Sequence, residues 1–283
     1  MATKAKPTKS ADLKNWLDAK KRSTRILGDV ERYLLTKEPE KRSTLVIHPS
    51  EVIKDDFCER ESYFLLTGAT PLRDRPNLRL QTIFDEGHEY HRKWQSRFEG
   101  MGVLWGKWDN GDGTPSWFGL PDDGPALNRR YLEVPVGNRT YRMSGHGDGV
   151  IRGIGPTAWL EVKSVGEGTM RVLAPELLRK AEQDANKAFR DISRPFADHL
   201  RQTLVYLELA AETYPDLSIN EAIVIYEYKA NQATHEFVVE RNFDLVEPYF
   251  AKAARVVEAV KAGTPPVCKI PACKKHQRYE EKA

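Results

Sequence analysis

Hydrophobic and polar positions follow two different periods along this chain, and the points where the period changes mark its elements. Three- and four-residue spacing dominates the start. Residues 11–36, rich in Lys, Arg, Leu and Glu, predict a helix. Residues 45–50 are a short apolar segment closed by Ser50. Ser50 predicts a helix start, with the helix running on through Phe57, Cys58, Tyr63 and Phe64. A further helix fits residues 78–98 and carries Phe84, Asp85, Gly87, His88, His91 and Trp94. Residues 100–127 are dense in Gly, Pro, Asp and Trp and predict a loop with at most one strand. The period then drops to two. Residues 131–136 and 140–144 alternate on either side of Gly137-Asn138, which predicts a hairpin. Residues 149–151 continue the second strand, and residues 158–164 form a third after the turn at Gly155-Pro156. Residues 175–189 and 195–213 return to helical spacing, the latter with Leu200, Leu204, Leu207 and Ala211 on one side. A strand pair over 222–229 and 234–239 and a helix over 243–262 complete the order.

That order predicts an α/β chain with a central mixed sheet flanked by helices. The expected layout is a flexible basic tail over 1–10 and a single domain over 11–283. At 283 residues and 40% hydrophobic content, the chain can bury a sizeable core. No apolar run approaches the roughly 18 residues of a membrane span. The opening MATKAKPTKS has lysines but no apolar stretch behind them, unlike a secretory signal. A cytoplasmic location and no membrane partner are therefore expected. A net charge of +3 and a pI of about 8.6 do not demand a nucleic-acid partner, but they allow a local basic groove. The three cysteines do not make a disulfide framework, so metal ligation becomes the question for them.

The chemistry concentrates in AWLEVKSV, residues 158–165. Glu161 and Lys163 are two apart and share one face of a strand. Alone, such a pair also describes an ordinary surface ion pair. Asp148 changes the picture. It lies on or at the end of the preceding strand, in Gly-His-Gly-Asp-Gly. Two adjacent strands would bring Asp148 and Glu161 within a few ångströms, where two carboxylates repel and one tends to take a proton. A divalent cation removes that conflict. A lysine on the same face would orient a water or stabilise developing charge.

Asp148 followed by Glu161-Val162-Lys163 resembles the core of the PD-(D/E)XK nuclease superfamily. Gln202-Thr-Leu-Val-Tyr206 is similar to the Gln-x-x-x-Tyr motif of its RecB-like branch. Gly87-His-Glu-Tyr-His91 is similar to the Gly-x-x-x-His of that branch's upstream helix. Ser50, with Phe57-Cys58-Glu-Arg-Glu-Ser-Tyr63, resembles its Ser…Cys-Pro-Arg-x-x-Tyr opening, with a glutamate in place of the proline. In motif order the resemblance spans roughly residues 45–276, and it is nearest to CRISPR-associated and phage-encoded RecB-like exonucleases. It implies a restriction-endonuclease-like domain and a metal-dependent DNA exonuclease acting on ends or single strands. Asp148 and Glu161 would bind Mg²⁺ or Mn²⁺, completed by His91 and the Val162 carbonyl. Lys163 would position or activate the water, Gln202 and Tyr206 would orient the strand, and Arg60 and Arg92 would meet phosphates. The implied partners are DNA and a recombinase or single-strand annealing protein. The alternative is a DNA-binding recombination partner with weak or vestigial nuclease activity.

In many RecB-like exonucleases one early and three late cysteines hold a [4Fe–4S] cluster that staples the C-terminal tail to the N-terminal helices. Here the set would be Cys58, Cys268 and Cys273, with His276 as fourth donor, in a subregion formed by residues 50–66 and 264–279. Three thiolates and an imidazole also suit tetrahedral zinc. Trp94, Trp105, Trp108 and Trp117 are expected to pack a loop rather than stack on unpaired bases. His88, three residues from His91, is an alternative to it off the motif spacing, and is expected at the surface or supporting the metal ligands from behind. His48, His199 and His235 are expected to be structural or solvated.

Overall fold

The computed structural model describes residues 26–36, 43–70, 77–109, 115–117 and 130–280. The expected tail over 1–10 and the start of the first helix lie outside them. The chain divides into two compact units, residues 1–41 with 73–84, and residues 42–72 with 85–283. In the first, the described residues form α1 (Leu27–Thr36) and the opening turns of a later helix.

The second unit opens with α2 (Pro49–Val52) and α3 (Glu59–Leu66), then most of α4 (Leu78–Gly100). Among the described residues the next elements are β1 (Leu104–Trp105), β2 (Trp108–Asp109), β3 (Pro115–Ser116), β4 (Arg130–Tyr131), β5 (Val134–Asn138) and β6 (Met143–Gly147). Next come β7 (Gly149–Ile151), β8 (Ala158–Val165), α5 (Glu167–Leu173), α6 (Pro175–Lys180), α7 (Ala185–Arg190) and α8 (Ala197–Thr213). The chain closes with β9 (Glu221–Tyr228), β10 (Thr234–Glu240), α9 (Glu247–Ala262) and α10 (Gln277–Glu280).

The central sheet has the order β1-β7-β8-β9-β10. Only β8 and β9 run parallel; the other neighbours are antiparallel. β8 is covered on both faces, which explains its nearly continuous apolar sequence. Leu160 and Val162 point into a cluster with Val103, Leu104, Trp108, Ile151 and Ile225, packed by Trp94 and Phe98 of α4. Trp159 and Val165 point the other way, into the larger core with Val205, Tyr206 and Leu209 of α8. Glu161 and Lys163 share that second face by alternation. α4 is fastened to the sheet through Glu227 of β9, which pairs with Lys93 and accepts from Trp94 Nε1 at 2.7 Å.

Several boundaries differ from the sequence expectation. The helix expected from Ser50 through Phe64 is two helices. Pro49 opens the first, since its fixed φ suits a first helical position, and His48 rather than Ser50 stands at the N-cap. Cys58, extended at φ −93° and ψ 103°, separates the two and caps α3 by accepting from Glu61 N. The hairpin turn is not Gly137-Asn138; both residues belong to β5, and Asn138 pairs with Met143. Asn138 Oδ1 instead accepts from Tyr141 N at 3.0 Å, so its side chain builds the turn that follows. The helix expected over 175–189 breaks at Glu182 and Gln183, both at positive φ. Among the described residues of the stretch over 100–127 there are three short strands, and Trp105 and Trp108 in two of them are buried, as packing residues.

Candidate functional site

β6 and β7 are one run of chain broken at a single residue, Asp148. Up to Gly147 the chain pairs with β5; from Gly149 it joins the central sheet. Gly149 stands opposite Leu160 in the antiparallel β7–β8 ladder. One step further along that register sets Asp148 opposite Glu161. Both carboxylates are buried, at 5% and 3% exposure. The expected approach of the two strands is present, and it brings their acids together.

Asp148 is held from three sides. Its Oδ2 accepts from Val162 N at 2.6 Å, its Oδ1 lies 2.7 Å from His91 Nδ1, and its backbone carbonyl accepts from Gln95 Nε2 at 3.0 Å. His91 and Gln95 are four apart on α4 and so share a face. Lys163 Nζ lies 2.5 Å from Glu161 Oε1. This donor pattern divides the two acids. Burial works against ionising Asp148, but His91, Lys163 and the Val162 N–H outweigh it and hold its carboxyl below the usual range. Burial dominates at Glu161 and, with Asp148 nearby, pushes its carboxyl above the usual range despite Lys163. For Lys163 burial disfavours the ammonium, yet Glu161 and Asp148 more than offset it and raise its pKa. His91 is likewise raised, because Asp148 outweighs the desolvation of its ring.

One ligand atom each from His91, Glu133 and Asp148 lies within 4.8 Å of the others, which fits a single divalent ion bound by one imidazole and two carboxylates. Glu133 did not emerge from the sequence. It sits between β4 and β5 at φ 67°, a left-handed conformation uncommon outside glycine, and no sequence pattern marks it. Gln95 was also missed, although its spacing of four from His91 is a usable signal. Glu161 is not among the three converging atoms; its nearer carboxylate oxygen is on Lys163.

α8 supplies the other wall. Tyr206 is buried and its ring stacks on Trp159 at 5.7 Å and 22°. Its hydroxyl overhangs β6, 2.7 Å from where a Cβ on Gly145 would lie. Gln202, partly buried, is one turn earlier on the same face. His199 Nδ1 meets the Tyr226 hydroxyl at 2.6 Å, and that hydroxyl accepts from Phe196 N at 2.8 Å. Burial first, and Lys163 second, depress His199 to about 3, so it is a neutral structural side chain. His48 and His235 bond to the carbonyls of Ser43 and Phe189, and His88 is exposed.

The second cluster lies against α3. The donor atoms of Cys58, Cys268, Cys273 and His276 all fall within 4.8 Å of one another. Cys58 Sγ is 3.8 Å from Cys268 Sγ and 3.5 Å from His276 Nδ1. Protein contacts also tie this tail down. Tyr279 stacks on Phe64 at 6.0 Å, Lys275 pairs with Asp56 at 2.7 Å, and Arg60 Nη1 donates to the Pro266 carbonyl at 3.2 Å. Arg60 therefore faces the tail, while Arg92 is exposed beside Glu89 on α4.

No family model matches the chain, and no curated protein matches it. Solved structures with a similar course include an alkaline exonuclease from Laribacter hongkongensis, at 10% identity over 85% of this chain and 94% of that one, TM-score 0.44. The same exonuclease in complex with dAMP aligns at 10% identity over 78% and 90%, TM-score 0.44. The protein SSO0001 aligns at 13% identity over 86% and 87%, TM-score 0.36. Among the described residues no helix is long and apolar enough to cross a membrane.

Proposed function

We propose that this chain is a metal-dependent nuclease of the PD-(D/E)XK type that hydrolyses DNA phosphodiester bonds as an exonuclease of the RecB-like branch. The observation that carries this reading is the buried pair Asp148 and Glu161 with partly buried Lys163 and His91, drawn from the β6–β7 break, β8 and α4 into one site. So much buried charge is costly for a merely structural ion pair. The ordered motifs in the sequence supply the nucleic-acid class and the preference for ends.

Asp148, with His91 and Glu133 beside it, would hold a Mg²⁺ or Mn²⁺ ion. Val162 N–H faces Asp148, and an extended residue turns its N–H and C=O to the same edge, which supports the Val162 carbonyl as a further ligand. When bound, the ion would supply Lewis-acid activation of a phosphoryl oxygen and of water. Lys163 would hold the attacking water against Glu161 and offset charge building on the phosphate. Tyr206 and Gln202, on the opposite wall, would position the strand, and Arg92 lies exposed on α4 for the phosphate backbone. The complete set of acids, Lys163, Gln202 and Tyr206 counts against a vestigial DNA-binding partner.

The test is cleavage of end-labelled DNA with added Mg²⁺ or Mn²⁺. Lys163→Ala and Asp148→Ala are each expected to lower the rate by about 10²–10³-fold or more, while binding in a mobility-shift assay persists. Undiminished metal-dependent cleavage by both folded variants would reject the assignment.

A further inference from the structure

We propose that Cys58, Cys268, Cys273 and His276 hold one tetrahedral zinc ion, not the iron–sulfur cubane that the resemblance implies. The donor cage has the size of a single-ion site. Two thiolates on one zinc, each at about 2.3 Å, stand about 3.8 Å apart in a tetrahedron, and a thiolate and an imidazole nitrogen stand slightly closer. The observed separations are 3.8 Å for Cys58–Cys268 and 3.5 Å for Cys58–His276. A cubane instead gives each ligand its own iron, which spreads the ligand atoms to roughly 6 Å. A two-iron cluster splits its ligands into two separated pairs. Four donors all within 4.8 Å of one another leave room for neither.

The surrounding backbone agrees with ligation. Cys273 and His276 are three residues apart, and the backbone N–H groups of Lys275 and His276 turn toward the Cys273 sulfur. Glu61 N–H does the same for Cys58 at the start of α3. These N–H groups hold both sulfurs toward the cluster. A disulfide does not account for the approach, since 3.8 Å is far beyond the roughly 2.05 Å of an S–S bond. Three thiolates and one imidazole are a familiar structural zinc set. The zinc assignment is independent of the nuclease reading.

The test uses the full chain, expressed anaerobically with zinc and iron supplied equally and purified without chelators. Metal content, acid-labile sulfide and the visible spectrum are measured. One zinc per chain that is lost in Cys273→Ser and His276→Ala but kept in Asp148→Ala is the expected result. Three or four irons with sulfide and a brown band near about 400 nm would overturn it. So would a single iron without sulfide, or the absence of stoichiometric metal. Should the loss variants fail to fold, His276→Cys preserves a tetrahedral donor set. It is expected to keep one zinc per chain and, after cobalt exchange, to show stronger thiolate-to-cobalt absorption than the parent. An unchanged cobalt spectrum would count against His276 as a ligand and overturn the proposal.

Discussion

Asp148 and Glu161 are equally buried acids facing each other across a ladder, yet their protons are held oppositely. Asp148 gathers donors from Val162 and His91, whereas Glu161 meets one lysine and has the Asp148 carboxylate as a like-charged neighbour. Glu161 is therefore the first of the two to take up a proton as pH falls. Glu161 and Lys163 were legible because a period of two puts them on one face. Glu133 was not, because its place depends on a left-handed backbone between two short strands. His199 yields a prediction about acid stability. Its folded pKa, about 3, lies below the unfolded value, so it stabilises the fold fully above pH about 6.5. That contribution falls as pH drops from there toward 3, by up to about 1.4 kcal/mol per pH unit. Urea unfolding between pH 6.5 and 5 should show this slope in the wild type and a shallower one in His199→Gln; parallel slopes would remove His199 as the cause.

Among the elements, β8 was read correctly from its apolar run after the turn at Gly155-Pro156, and α8, β9 and β10 fell within a residue or two of their expected bounds. The elements that broke did so through local chemistry that periodicity does not register, such as the cap at Cys58 and the side-chain turn at Asn138. β6 makes its own demand. A Cβ on Gly147 would lie 1.8 Å from the Trp159 ring, and that ring is fully buried against Tyr206. Gly147→Ala should therefore destabilise the protein by about 1–3 kcal/mol, as overpacking does, seen as a lower denaturant midpoint. Gly145→Ala presses on the Tyr206 hydroxyl instead. It should lower the cleavage rate more than it lowers stability, and Tyr206→Phe should share the kinetic defect. Equal rates for wild type and Gly145→Ala would argue that Tyr206 does not position substrate.

At the scale of the second unit, residues far apart in sequence converge on two places. One joins α4, the β6–β7 break, β8 and α8; the other joins α3 and the C-terminal segment. The resemblance implied which segments would meet, but the cage dimensions on which the zinc proposal rests exist only in three dimensions. The tail does not depend on metal alone. Tyr279→Ala removes the stack on Phe64, worth about 0.5–1.5 kcal/mol beyond its buried area, and should lower the melting temperature by several degrees (roughly 2–4 °C per kcal/mol for a domain of this size). An unchanged melting temperature would show that the stack carries no stability. The separation of Cys58 from its partners also has a consequence in time. Cys268 is 210 residues downstream, and at about 5–20 residues per second of synthesis that is a delay of roughly 10–40 s. The α3 end of the tail junction is made long before the segment that closes it. A product whose synthesis stops before Cys268 can contain the whole Asp148–Lys163 site and α8 while lacking this junction, so closing it marks a chain that has been synthesised past His276.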